Sequence, residues 1–408
     1  MTAPIETPAF AQPANADLGS YVRAWWARTK AGDLGSLPIL VGLALIVVVF
    51  GALEPVFLTS ANFVNLLLQM SGIAILGIGI VFVLLIAEID LSVAYVSAVG
   101  GVVTTLLLRP GDPGWPWWLA IAAGLTVTTF IGFLQGLVIT SFGVPSFVVT
   151  LAGFLAWSGV VLILTTETSQ AGTIILQDDV VLGLSNTYLP DVWGWLLALG
   201  VTGGYAAVQL LRQRSRRSLD LDAKPTTVLA LQVAGLALVT GFAAFYANLD
   251  RGVPVVALVV LVFLVGWTVV ASRTRFGRHV YAVGGNPEAA RRAGIDVDRL
   301  RITVFMISSF MAGVGGVILA SRLRSVSTNT GSGNLLLEVI AAAVIGGTSL
   351  FGGRGRVISA LLGALVIASV SNGMDLLGLP AGVKFVVTGL VLLAAVLVDS
   401  ISKRGRAA

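Results

Sequence analysis

The chain has 408 residues, 56% of them hydrophobic and only 11% charged, with a mean hydropathy of +0.95. Soluble domains carry about 25% charged residues, so this composition excludes an ordinary soluble protein and points to a chain dissolved in lipid. With no cysteine, a disulfide framework and a thiolate metal site are excluded. The pI of 9.8 is not a sign of nucleic-acid binding, because the basic residues sit in short clusters between apolar runs, the pattern of membrane orientation.

The first segment, 1–36, is polar, rich in Pro and Ala, and lacks a small-residue cleavage site after an apolar stretch, so no cleaved signal peptide is expected. Trp25 and Trp26 beside Arg23, Arg28 and Lys30 fit a helix lying along the inner membrane surface; a basic tail is the alternative. Candidate spans follow near 37–53, 64–87, 92–108, 117–140, 145–165, 193–211, 228–247, 253–272, 301–321, 333–350, 356–376 and 382–399. A run of about 20 apolar residues crosses a hydrocarbon core of roughly 30 Å. The runs do not alternate polar and apolar residues as a lipid-facing barrel would. Helices, which satisfy their own backbone hydrogen bonds in lipid, are therefore expected. The fold class is all-α: a polytopic membrane protein of about ten to twelve transmembrane helices. Its expected organisation is a cytoplasmic segment 1–36, one transmembrane domain over 37–399 with a cytoplasmic loop 273–301, and a cytoplasmic tail 400–408.

The charges test that topology. With the N-terminus inside, only Arg109, Arg251, Arg322, Arg324 and Lys384 of the 25 Lys and Arg fall outside or within the membrane. The remainder lie in inside segments, which is the positive-inside bias. The loop 166–192 has no Lys or Arg but holds Glu167, Asp178, Asp179 and Asp191, as an outside loop should. Trp115, Trp117 and Trp118, and then Trp193 and Trp195, stand at span ends where their rings favour the headgroup level.

No G-x-x-x-x-G-K-[ST] occurs, so the chain has no phosphate-cradling loop of its own; the stretch Gly346-Gly347-Thr348-Ser349-Leu350-Phe351-Gly352-Gly353-Arg354 lacks the Lys-Ser/Thr pair that would follow the second glycine of that motif. The single His279 lies in a basic loop without metal-binding or acid–base partners and reads as a solvated or structural histidine. No constellation for a membrane enzyme is present.

Segment 273–301 carries the most information. Asn286-Pro287-Glu288 has the form of a helix start: a capping Asn, Pro at the first helical position, an acid in the first turn. Ala289, Ala290 and Ala293 favour a short helix and Gly294 ends it. A compact helix between two spans suits a lever that transmits force to a partner; a solvated basic connection is the plain alternative.

Glu288-Ala289-Ala290-x-x-x-Gly294 resembles the EAA-x-x-x-G coupling segment of ABC importer permeases, which docks into a groove of the ATPase subunit. Gly277 to Asn286, the run Ile340 to Gly355 and Glu88-Ile89-Asp90-Leu91-Ser92-Val93 are similar to the ribose/xylose class of sugar permeases, and the resemblance covers most of 60–400. Ala94 stands where that class usually has Gly, Glu338 where it has Asp, and the coupling segment lacks the Leu-Pro tail of some importers. The stretch 193–249, with two extra spans and a basic loop, resembles the longer xylose-type permeases, as does Glu88.

This resemblance implies alternating access and assigns Gly284, Gly285, Asn286, Pro287, Glu288, Ala289, Ala290 and Gly294 to ATPase coupling. It also implies a second permease copy, a cytoplasmic ABC ATPase that binds ATP and Mg, an extracytoplasmic sugar-binding protein, and no cofactor or metal in this chain. D-xylose is the favoured sugar, with ribose, arabinose and galactose open.

Polar groups inside a membrane are costly and mark a pathway or a partner. Asn62, Asn65 and Gln69 share one helical face; Glu88 and Asp90 lie between two apolar runs; Glu338 and the pair Asn372 and Asp375 lie further on. Asn65, Gln69, Glu88, Asp90, Glu338, Asn372 and Asp375 are candidates for a sugar route, with interhelical hydrogen bonding as the other reading. Gly132-x-x-x-Gly136 reads as a close helix contact. An apolar run, a polar break and another apolar run recur near 72–101 and 339–370, an echo of the internal repeats of transporters. A proton-coupled secondary transporter, using Glu88, Asp90, Glu338 or Asp375, explains the acids but not the EAA-x-x-x-G segment.

Overall fold

A computed structural model describes residues 37–111, 113–219 and 225–391, with Gly19, Arg23, Trp26 and Leu393. The expected surface helix within 1–36, Lys224, the end of the last span and the tail 400–408 otherwise lie outside the described residues.

Two compact units are present. The larger covers Pro38–Tyr188 and Pro254–Asp399, and the described part of the other is mainly Leu189–Val253. In the larger unit the order is α1 (Leu37–Leu53), a 3₁₀ turn (Pro55–Leu58), α2 (Ser60–Leu85), α3 (Val93–Leu107), α4 (Trp117–Phe142), α5 (Ser146–Thr168), β1 (Thr173–Ile175) and α6 (Asp179–Asn186). The smaller unit contributes α7 (Asp191–Arg217) and α8 (Thr226–Asn248). The chain then forms α9 (Val255–Arg273), α10 (Arg275–Gly285), α11 (Pro287–Arg292), α12 (Val297–Leu323), β2 (Ser325–Ser327), α13 (Leu335–Ile345), α14 (Ile358–Leu376) and α15 (Ala381–Val391).

Among the described residues, α2, α4, α5, α7, α8, α9, α12 and α14 are long and apolar enough to cross a membrane. The expected spans near 37–53, 92–108 and 333–350 form the shorter apolar helices α1, α3 and α13. Proline sets many starts: Pro116, Pro145, Pro190, Pro225 and Pro254 cap α4, α5, α7, α8 and α9 with extended backbone. There the missing N–H costs nothing, because the first amides of a helix have no intrahelical acceptor.

Helices α2 and α12 are the inner posts of the larger unit. Of the residues in an 18-residue apolar stretch, 83% are buried inside the protein in α2 and 67% in α12, against 11% in α5. Helix α12 packs on α4, α3 and α2, while α14 packs on α2 and α13. Small residues allow these approaches. A methyl group at Gly136 would lie 2.7 Å from Ile302 Cα, and one at Gly132 would collide with the Phe305 carbonyl, so the Gly132-x-x-x-Gly136 face is where α4 meets α12.

Loop 166–192 is more structured than the sequence suggests. Strand β1 pairs antiparallel with β2, Ile174 opposite Val326. Helix α6 is capped by Asp178 and locks onto the end of α12: the Ser185 amide donates to Ser321 Oγ (3.0 Å) and Arg324 reaches Asn186 Oδ1.

In the smaller unit α7 and α8 pack as a hairpin, with a hydroxyl bond between Thr202 and Thr240 at 3.0 Å. The Leu189 amide donates to the Val253 carbonyl at 2.8 Å, and on the flanking residues Val255 N–H donates to Thr187 O at 3.0 Å.

Candidate functional site

Helices α10 and α11 form a compact pair of short capped helices. Thr274 Oγ1 caps α10 by accepting from the Gly277 amide (3.2 Å), and α10 buries Gly277, Val280, Val283 and Gly284 on one face. Asn286 ends α10 and starts α11, its Oδ1 accepting from the Ala289 amide at 3.0 Å; Pro287 follows at the first helical position and Glu288 lies in the first turn. Gly294 then takes φ +84, the left-handed conformation that suits glycine after a helix. The run Gly285, Asn286, Pro287, Glu288 and Ala289 is exposed, whereas Ala290 is buried beneath it. Glu288 accepts from Arg292 Nε at 3.1 Å and stands near Arg291. The expected helix start is therefore present, preceded by a helix that sequence reading missed. Its signal was available: Thr274 as a cap, then Phe276, Val280 and Val283 at helical spacing.

Beneath this pair three backbones meet. The Gly353 amide donates to the Leu85 carbonyl at 2.9 Å. Gly284 lies against both: any Cβ there would overlap the Leu85 carbonyl and approach Gly353 N to 2.6 Å. Tyr281 Oη donates to the Gly355 carbonyl at 2.9 Å. Burial pushes the Tyr281 phenol above its ordinary range, with the Arg356 charge opposing. The glycine-rich stretch after Gly346 is thus a packing turn, closed by a Ser349 amide to Arg354 carbonyl bond of 2.9 Å. Helix breaks occur at both places where the sequence echoes itself, after α2 and after α13, and the Leu85–Gly353 bond joins them.

The break after α2 is polar and closed. Ala87 adopts φ +60, and Glu88 pairs with Arg301 Nε at 2.9 Å, an ion pair rather than an aligned hydrogen bond. The Ile89 amide donates to Ser146 Oγ and its carbonyl accepts from Thr150 Oγ1, each at 3.2 Å. Asp90 Oδ1 accepts from the Ser92 amide (2.9 Å) and Ser92 Oγ (2.7 Å), and Asp90 Oδ2 accepts from Ser308 Oγ (2.9 Å). Gln135 Nε2 donates to Ser92 Oγ at 2.9 Å. Ser308, Gln135 and Arg301 were not singled out from sequence, because only folding brings them to Asp90 and Glu88.

The other candidates fall into two groups. Asn65 is exposed on α2 and Gln69 is half-buried, but Asn62 on the same face is buried and exchanges hydrogen bonds with Asn372. Glu338 accepts from Asn334 Nδ2 at 2.7 Å, Asp375 pairs with Lys384, and Arg322 lies within electrostatic reach of both acids.

The sequence family described as "Branched-chain amino acid transport system / permease component" matches residues 62–396. The Xylose transport system permease protein XylH of Escherichia coli (strain K12) is 38% identical over 351 residues, which is 85% of this chain and 87% of that protein. XylH of Haemophilus influenzae is 34% identical over 383 residues (92% and 99%), and the Ribose import permease protein RbsC of Bacillus subtilis 31% over 370 residues (90% and 94%). No solved structure matches the chain significantly. With its apolar helices and this match over most of its length, the chain belongs to that permease family and is a multi-pass membrane transport subunit rather than an enzyme.

Proposed function

We propose that the chain is the permease subunit of an ATP-driven monosaccharide importer of the plasma (inner) membrane, with D-xylose as its sugar. The observation that carries the mechanism is the exposed, capped helix α11, presenting Glu288 on a rigid support. The sugar reading rests on relatives named as xylose and ribose permeases. Ribose, arabinose and galactose are the other sugars to compare.

In this reading both termini, α10 and α11 face the cytoplasm, as the basic clusters favour. A partner ATPase binds ATP and Mg and grips the Gly284–Gly294 segment of each permease copy. One coupling segment per chain calls for two chains, most simply a homodimer, and an extracytoplasmic sugar-binding protein delivers the substrate. Closure of the ATPases moves α10 and α11, and the spans tilt to alternate access. Asn65, Gln69, Glu88, Asp90, Glu338, Asn372 and Asp375 are the candidates for the route of a hydroxyl-rich substrate; in this conformation Glu88, Asp90 and Asn372 are engaged with Arg301, Ser308 and Asn62, and Glu338 and Asp375 with Asn334 and Lys384.

A mild-detergent pull-down of the tagged chain from its native membranes, followed by uptake in inverted and right-side-out vesicles, tests this. Recovery of a P-loop ATPase together with ATP-dependent xylose uptake supports the proposal. Recovery of the chain alone, with proton-driven and ATP-independent uptake, overturns it in favour of a secondary transporter using the intramembrane acids.

A further inference from the structure

The Asp90 cluster has the properties of a closure rather than of a passive core contact. Asp90, Ser92, Gln135 and Ser308 are 1%, 0%, 5% and 0% exposed, and they come from the break after α2, from α4 and from α12. Asp90 takes hydrogen bonds from the hydroxyls of Ser92 and Ser308 and from the backbone amides of Ser92 and Val93. Hydroxyl donors exchange with water at small net cost, because each protein bond lost is replaced by one to solvent. A clasp of this kind is strong when dry and yields when water enters. An ion pair pulled apart in the same place would leave two charges to hydrate.

The segment carrying Asp90 is also the one joined to α10. Ala87 sits at φ +60, a left-handed conformation that costs a non-glycine residue and persists only where the surroundings impose it. The surroundings here are Gly352, with no room for a Cβ beside Ala87, and the Gly353–Leu85 bond. Gly284 leaves no slack between α10 and Leu85. A displacement of α10 therefore cannot be absorbed locally and must move Leu85–Asp90. On its far side the same segment is bound to α5 through Ser146 and Thr150.

We infer that Asp90, Ser92, Gln135 and Ser308 form a hydrogen-bonded gate at the α11 end of the bundle, which holds the α2–α3 break against α4 and α12 until movement of α10 pulls it open. The inference rests on the transport reading, and Asp90 acts in it as a positioning residue through its hydroxyl partners.

The test exploits the absence of cysteine from the chain. A single thiol is introduced as Ala94→Cys, at a buried position just beyond the clasp, and in a second protein as Ala320→Cys, buried near the other end of α12. Each is labelled with a membrane-impermeant maleimide applied from the side that carries α11. In the otherwise unchanged chain both thiols are protected. Asp90→Asn, and separately the milder Ser308→Ala, accelerate labelling of Ala94→Cys by about tenfold, the scale of one lost charge-assisted hydrogen bond, and leave Ala320→Cys protected. Unchanged protection of Ala94→Cys in both variants overturns the gate. So does equal exposure of both thiols, which signals general loosening. Labelling requires neither sugar nor ATPase. Failure of ATP-driven uptake by the unsubstituted complex would therefore overturn the transport reading while leaving the labelling result to be judged separately.

Discussion

Asn62 and Asn372, 310 positions apart in the chain, exchange two side-chain hydrogen bonds, Nδ2 of Asn62 to Oδ1 of Asn372 at 2.8 Å and the reverse at 3.0 Å. Asn62 Nδ2 also donates to the Phe57 carbonyl at 3.0 Å, so the pair ties α2, α14 and the 3₁₀ turn together. Asn372→Leu leaves the Asn62 amide short of a partner and is expected to cost about 1–2 kcal/mol. The double variant Asn62→Leu with Asn372→Leu recovers part of that, since removing both partners is cheaper than removing one. Thermal midpoints in detergent for the two single variants and the double variant check the non-additivity.

Charge reversal at Glu288 separates docking from folding. Glu288 is exposed and its pairs with Arg291 and Arg292 lie at the surface, where each contributes about 0.3–0.5 kcal/mol. Glu288→Arg is expected to leave the melting profile nearly unchanged and to reduce coupled uptake by about tenfold or more, as expected for a reversed interface charge. Ala290→Glu would be a poorer probe, because Ala290 is buried and its replacement disturbs the fold as well. Full coupled uptake by the stable Glu288→Arg protein would remove α11 as the docking element.

Neighbouring glycines at the end of α10 give opposite expectations. Gly284→Ala forces a methyl group into the Leu85 carbonyl and the Gly353 amide, whereas Gly285→Ala meets nothing within 4 Å. Overpacking costs about 1–3 kcal/mol, and replacing an exposed helical glycine by alanine returns up to about 1 kcal/mol. Melting temperatures should therefore fall for the first and hold or rise for the second.

Tyr281 supplies a pH signature. Burial raises its phenol above the unfolded value of about 10, so the folded state holds the proton more tightly. The stabilisation linked to this group is full below pH ~10 and is lost as pH rises through the folded value. Tyr281→Phe removes the bond to the Gly355 carbonyl and is expected to cost about 1 kcal/mol at neutral pH. Denaturation at several pH values should show that difference flat up to pH ~9 and shrinking above pH ~10.

What the sequence revealed was local. Apolar runs located the helices and Asn286-Pro287-Glu288 marked α11, because each of these signals lies within a few residues of the element it creates. The Asp90 cluster was only half legible. Asp90 stood out as a carboxylate between apolar runs, but Gln135 and Ser308 lie 43 and 218 positions from their partners, and no periodicity announces such a meeting. The β1–β2 pairing was hidden for the same reason: two three-residue strands, separated by most of the chain's middle, carry too little pattern to be read singly. The span expected near 333–350 is shorter because α13 stops at Ile345, after which Gly347 takes φ +101 and the chain turns toward Gly353.

The paired ends of the α7–α8 hairpin have a consequence for how such permeases can differ in length. The Leu189 amide donates to the Val253 carbonyl at 2.8 Å, so the excursion begins and ends at neighbouring residues. Its two long helices each qualify as a membrane crossing. An even number of crossings that starts and finishes in one place can be gained or lost without inverting any helix that follows. Evolution can thus lengthen or trim this part of the chain while α10, α11, the breaks and both ends of the bundle keep their sidedness.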